Sequence, residues 1–240
     1  MTDRPIIAVT CLSFEARIAS GPGIHVLCGA AQRYVDRLEA AVQAGGRGVI
    51  SIGIAGGIAP GLNPGDWVVA SGVVTDGQRI PTDRQWAQRL LNAIPGAAYA
   101  DISGVDHPVA HRDEKHALHQ ATGTVAVDME SHIAATIAAR HGVPFTAARV
   151  IIDPAERSVP PAALVGMSAD GRPDGMAVMR SLAQDPRQLP ALLRVIADAR
   201  AAHASLVRGR RKLGDNLGFP GRTEIHHAPV LAGMQLSPSA

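Results

Sequence analysis

Short apolar runs of strand length, set between helix-length segments, constrain this chain more than any other feature. Gly48 to Gly53 is nearly continuous in apolar residues, and so is Phe145 to Ile152. A strand with so little polar alternation is covered on both faces, which calls for helices on either side of a sheet. Ile6–Thr10 and Trp67–Val74 read as further strands, with His25–Cys28, Ala97–Ser103 and Thr124–Val127 as shorter or weaker ones. Between them, Ser13–Ala19 reads as a turn or short helix, and 30–44, 83–94, 111–120 and 129–141 read as helices. Asp83 stands where it can cap its helix. Helices are also expected over about 175–183 and 187–208. Strands and helices alternate through most of the chain, which predicts a single three-layer α/β domain.

Composition narrows the class. Of 240 residues, 46% are hydrophobic but only 3% aromatic, so the core must be built from Ala, Val, Leu and Ile. The formal net charge of +2 and the lack of a clustered basic stripe argue against nucleic-acid binding. Arg208–Lys212 reads as a solvated helix end. Cys11 and Cys28 lie in apolar segments and read as buried thiols rather than a disulfide. No apolar run reaches the roughly 18 residues of a membrane span, and the N-terminus lacks a signal-peptide layout, so a cytoplasmic protein is expected. Peripheral membrane contact stays open. From Gly214 onward Gly, Pro, Ser and His replace the periodic pattern. Residues 1–213 therefore read as one folded domain and 214–240 as a flexible tail. His226-His227 in that tail has no carboxylate or cysteine at ligand spacing, so no metal site is expected.

Three segments carry chemistry. Val127-Asp-Met-Glu-Ser131 and Arg149-Val-Ile-Ile-Asp153 each set a carboxylate at the end of an apolar, strand-like run. A carboxylate there must be paired, hydrogen-bonded or neutral, and strand ends are where open α/β sheets present a site. A helix starting near Met129 would put Glu130 in its first turn, where the macrodipole favours negative charge. An ordinary cap by Asp128 is the alternative. Pro154 stops the strand after Asp153, whose pKa burial would raise, as suits a general acid. A simple turn aspartate is the alternative. The third segment, Gly53-Ile-Ala-Gly-Gly57, lets a flat ligand approach the backbone at Ala55 and Gly56, or is only a tight turn. It is neither a P-loop nor a dinucleotide fingerprint.

With Gly65-Asp66 these segments, in this order, resemble the superfamily of purine nucleoside phosphorylases and methylthioadenosine/adenosylhomocysteine nucleosidases. The resemblance covers roughly residues 5–213. Within it, Val-Asp-Met-Glu-Ser-His-Ile-Ala-Ala135, Asp-Pro-Ala-Glu-Arg-Ser-Val-Pro-Pro161 and Arg-Arg-Lys-Leu-Gly214 are most similar to the hopanoid-associated phosphorylases. The resemblance implies a three-layer α/β/α sandwich around a central mixed β-sheet. It also implies cleavage of an N-glycosidic bond with release of adenine, here from adenosylhopane to give a ribosyl hopanoid. Asp153 would protonate the purine. Glu130 would hold ribose hydroxyls with Met129 packed on the sugar, and Glu15 would activate water. Ala55, Gly56 and Val109 would line the ligand. No cofactor is implied beyond inorganic phosphate as an alternative to water. For phosphate, Arg17, Arg33 and Arg149 are the available cations, and Arg17 is preferred because it follows Glu15 by two residues. A nucleoside substrate, here lipid-linked, and a homo-oligomer are implied as partners.

Two departures stand out. Ile152 occupies the position before Asp153 where the family often has Ser, and Ile54 occupies another frequent Ser position. Both remove a hydroxyl and make the pocket more apolar. Two alternatives therefore remain: an enzyme for small nucleosides such as methylthioadenosine or adenosylhomocysteine, and a nucleoside- or lipid-binding protein without turnover.

Overall fold

Strand β3 (Val49–Gly57) shows why this chain needs helices on both sides. Val49 and Ala55 face one apolar cluster, Ile50 and Ile52 face another, and all four are buried. The computed structural model describes residues 4–29, 31–165 and 174–220, without the side chains of 31–33. In it, helices α2 (Ala31–Gln43) and α5 (Ser131–Arg140) close the first cluster. Helices α1 (Ser13–Ala19), α3 (Arg84–Ala93) and α8 (Leu189–Lys212) close the second. The three expected layers are present. As expected, Asp83 caps α3, its carboxylate accepting from the Trp86 amide at 2.7 Å. Among the described residues no helix is long and apolar enough to cross a membrane.

The remaining strands are β1 (Ile6–Thr10), β2 (Ile24–Cys28), β4 (Trp67–Thr75), β5 (Gln78–Pro81), β6 (Ala98–Gly104), β7 (Ala126–Asp128) and β8 (Phe145–Asp153). Their order is β2-β1-β3-β7-β6-β4-β5, and β8 pairs with both β3 and β4. β1 pairs parallel with β2 and β3, and β8 parallel with β3, whereas β3–β7 and β4–β8 are antiparallel. The sheet is therefore mixed, as expected, but it is not open. The chain of pairings β3-β7-β6-β4-β8 returns to β3 and closes a ring. Register shifts in β4 and between β3 and β8 supply the local bending that such closure needs.

Other details differ from the sequence pattern. Strand β5 was not anticipated, although Asp76-Gly77 before it, both at positive φ, is a two-residue hairpin turn. Helices α4 (Arg112–Thr122) and α7 (Gly175–Gln184) stand close to expectation, whereas the short α6 (Pro161–Leu164) is new. The boundary at 213/214 moves. Leu213 and Leu217 are buried, Trp86 Nε1 donates to the Leu217 carbonyl at 2.8 Å, and the Phe219 ring meets Trp86 edge-on with centroids 4.8 Å apart. Residues 217–220 thus pack on the core through Leu217 and Phe219, while 214–216 stay exposed. Residues 221–240, with His226-His227, lie outside the described residues.

Candidate active site

The end of β8 is set by a bulge. β3 and β8 pair in step from Val49 opposite Phe145 to Ala55 opposite Ile151, then Gly56 faces Asp153. Ile152 is the extra residue, and a bulge of this kind re-aims the side chain that follows it. Gly56 also pairs with Val127 of β7, so one glycine adjoins both carboxylate-bearing segments. A Cβ on Gly56 would sit 3.5 and 3.6 Å from the two Asp153 carboxylate oxygens. Without one, that side of the carboxyl is open to a ligand lying against the backbone.

Asp153 has a partner that the sequence did not disclose. Lys115 of α4 is fully buried, and its ammonium donates to Asp153 Oδ2 and to the carbonyls of Pro154 and Arg157, both at 3.0 Å. All three ammonium donors are thereby used. Asp153 keeps 18% of its side chain exposed. Burial pushes its carboxyl above the ordinary aspartate value, and the Lys115 charge opposes that shift. The carboxyl at the open edge is thus biased toward holding a proton while its neighbour stands ready to balance the charge if the proton leaves.

A second charged group lies deeper. Arg149 in the middle of β8 is completely buried. Its Nε is 2.7 Å from Asp128 Oδ2, and its Nη2 donates to Ser51 Oγ at 2.5 Å, Ser131 Oγ at 3.2 Å and Glu130 Oε2 at 3.4 Å. Asp128 ends β7 and also caps the next turn, accepting from the Glu130 and Ser131 amides at 3.0 and 2.8 Å. The capping alternative for Asp128 is therefore present together with an ion pair. Helix α5 begins at Ser131, so Glu130 stands just before its first turn rather than within it. Burial drives the Glu130 carboxyl up to about 7; Arg149 opposes this, while Asp128 and Glu15 add to it. Burial disfavours the Arg149 cation, but the Asp128, Glu130 and Glu15 carboxylates more than offset it, so its pKa lies above the ordinary value.

Glu15 joins this group from α1. Its Oε2 accepts from the Cys11 and Leu12 amides at 3.0 and 2.7 Å, and its Oε1 accepts from the Ile54 amide at 2.7 Å. Burial raises its pKa; Arg149 and the backbone donors oppose the rise. Gly53 has to be glycine here, because a Cβ would overlap the Glu15 carboxylate and crowd Arg149 Nη1 at 2.9 Å. Cys11 also borders Glu130, and burial pushes its thiol well above the usual range. Cys11 and Cys28 are both free thiols and both half-buried rather than deep in the core.

The other expected residues fall into place unequally. Ala55 is buried in the apolar cluster under α2 and α5, so only its backbone can meet a ligand. Met129 is half-buried between β7 and α5. Val109 is half-buried in the loop after β6, and the carbonyl of the next residue, Ala110, accepts from the Val159 amide at 2.9 Å, tying that loop to the segment after Asp153. Arg17 is not brought to the group. Two residues after Glu15 is about 200° around a helix, and Arg17 is exposed there. Gly65-Asp66 buttresses β8: the Gly65 amide donates to the Ile151 carbonyl at 2.8 Å, and the Ile151 amide donates to the Asp66 carbonyl at 2.9 Å. Ile54 and Ile152, the two departures, both pack half-buried against the cluster under α1, α3 and α8.

A family model described as the phosphorylase superfamily matches residues 17–170. The chain belongs to that superfamily. Solved structures with the same fold include a methylthioadenosine/S-adenosylhomocysteine nucleosidase from S. pneumoniae with a transition-state inhibitor. It has 16% identity and a TM-score of 0.59, and covers 87% of this chain and 99% of that one. A mutant nucleosidase from Helicobacter pylori with 5′-methylthioadenosine in its active site gives 14% identity, TM-score 0.60, and coverage of 88% and 100%. Futalosine hydrolase from Helicobacter pylori gives 15%, 0.59, 87% and 97%. Identities this low speak for the fold alone. No curated protein matches the chain.

Proposed function

We propose that this superfamily member cleaves the N-glycosidic bond of an adenosyl compound and releases adenine, with adenosylhopane as substrate and a ribosyl hopanoid as product. The observation that supports the chemistry best is the Asp153 carboxyl, pushed toward its protonated form at the end of β8, beside a glycine that leaves it open. As the bond between C1′ and N9 breaks, its electron pair passes to the purine and Asp153 gives its proton to N7. Lys115 then balances the carboxylate left behind. The ribosyl centre becomes oxocarbenium-like, a charge that a nearby carboxylate stabilises. Glu130 holds the ribose hydroxyls, with Met129 against the sugar. Water adds to C1′ and Glu15 takes its proton.

Water is favoured over phosphate by charge. Three carboxyl groups, Glu15, Asp128 and Glu130, surround Arg149, whose guanidinium is already paired with Asp128. A phosphate dianion would meet that group at close range with no unpaired cation among the described residues of the group to offset the repulsion; the Arg33 side chain lies outside the described residues. The hopanoid substrate is supported by the motifs of residues 127–135 and 153–161; Ile54 and Ile152 pack against the cluster under α1, α3 and α8 and do not bear on it. The same proposal takes the enzyme as a cytoplasmic homo-oligomer.

The test is adenine release from adenosylhopane in detergent, with and without phosphate, followed by liquid chromatography. Adenine formed equally in both is expected. Adenine only with phosphate would replace water by phosphate as nucleophile. Cleavage of methylthioadenosine but not of adenosylhopane would move the substrate to the small nucleosides. Nucleoside binding without any product would make the chain a binding protein.

A further inference from the structure

Exposed apolar side chains are not spread over this molecule. Of the eight large hydrophobic residues that stand exposed among the described residues, seven lie between positions 164 and 196. On α7, Met176 and Met179 are 69% and 65% exposed, one helical turn apart. On α8, Leu189, Leu193 and Ile196 are spaced i, i+4, i+7 and so form one stripe, while Leu192 beside them is buried against the core. The end of α6 contributes the other two. Helix α6 contacts both α7 and α8, which sets these side chains on neighbouring elements.

The surface is also cationic. Arg180, Arg187, Arg194 and Arg200 are exposed among the apolar residues. Of the described aspartates of the same stretch, Asp198 pairs with Arg157 at 2.9 Å, and Asp174 and Asp185 accept from the Ala177 and Arg187 amides at 3.0 and 3.1 Å, so the four arginines stay in excess over them. We infer that this face docks on an anionic phospholipid bilayer, with the leucine and methionine side chains entering the acyl boundary and the arginines among the headgroups. Helices with an apolar face and basic flanks bind membranes in this way. A second copy of the chain fits less well, because a two-fold contact lays the same patch on itself and brings its arginines together. The surface is joined to the candidate site. Arg157, whose carbonyl accepts from Lys115, pairs with Asp198 of α8, and Gln188 Oε1 accepts from the Ala162 amide at 2.8 Å. Docking stands independently of the proposed substrate, but it would set the segment that follows Asp153 close to the lipid.

The test is co-sedimentation of the full chain with vesicles of phosphatidylcholine alone and of an equal mixture of phosphatidylcholine and phosphatidylglycerol. The protein is expected to pellet with the mixed vesicles, to be released by salt, and to remain in solution with the neutral ones. Arg194→Gln should weaken binding about fivefold. Met179→Glu with Leu193→Glu should abolish it while the melting temperature stays at that of the wild type, since both side chains are exposed. If that double variant melts early, Arg194→Gln with Arg187→Gln decides the question by the loss of pelleting. Three results would overturn the inference: no pelleting with either vesicle, equal pelleting with both, or a wild-type dimer that Leu193→Glu splits while vesicles bind nothing.

Discussion

Two buried cations in this molecule hold carboxylates in different ways. Arg149 lies wholly inside, and every group around it is buried: Asp128, Glu130, Glu15, Ser51 and Ser131. Lys115 is as deeply buried, but the carboxylate it holds, Asp153, keeps part of its surface free. The first arrangement fixes where three acidic side chains stand and ties β3, β7 and β8 to α1. The second leaves one acid at the rim with a face available for chemistry. Burying an ion pair is weak evidence for stability, whereas removing one partner of such a pair is strongly destabilising. The two cations should therefore separate under mutation, one acting mainly on folding and the other mainly on the acid.

Arg149→Met should have the largest effect. It strands two or three carboxyl groups without a counter-charge, and a loss of about 3–5 kcal/mol of stability is expected in urea unfolding at neutral pH. A stable Arg149→Met protein would mean that the inner group does not organise the fold. Asp153→Asn comes next. General acid catalysis is typically worth about 10²–10⁴ in rate, and a fall of that size in kcat is expected. At pH values where Asp153 is ionised the same change removes the counter-charge of the buried Lys115 ammonium, so it should also lower stability there. Adding Lys115→Met to it should recover stability and not activity. If the pair of changes restored both, the acid would lie elsewhere.

Lys115→Met alone sharpens the contrast. With the opposing cation gone, the Asp153 pKa rises further, so the alkaline fall of kcat should move to higher pH. An unmoved profile would disconnect Lys115 from the acid. Glu130→Gln should have the smallest effect on stability and a distinct signature in its pH dependence. A carboxyl raised to about 7 in the folded protein and ordinary in the unfolded chain binds more protons when folded. Stability is then lost as pH rises from the ordinary glutamate value to about 7, and is fully present below that window. The variant should flatten this slope in denaturant midpoints taken from pH 4 to 8. An unchanged slope would place the raised proton on another group.

The sequence disclosed the residues that interrupt a pattern better than those that complete one. Asp128 and Asp153 were legible because a charge at the end of an apolar run needs a local explanation, and each is the last residue of its strand. Lys115 was not legible. It lies in Arg-Asp-Glu-Lys-His, which reads as the solvated face of an amphipathic helix, and its partner is 38 residues away. Arg149 was visible as a cation but not as the centre of a group drawn from three strands and two helices. The ring of strands was equally hidden, since apolar runs do not tell which strand β8 will pair with on its second edge. At the C-terminus, composition suggested a tail from residue 214, and two side chains, Leu217 and Phe219, were enough to hold that segment on Trp86.

Adenine release measured side by side for the wild type and Asp153→Asn, at a temperature where circular dichroism shows both folded, is the most direct test. Wild-type turnover of the adenosyl substrate without phosphate, with Asp153→Asn slower by about 10² or more, is the expected result. Equal rates for the two proteins, or no adenine from any adenosyl compound, would contradict the assignment of Asp153 as the acid of an N-glycosidic cleavage.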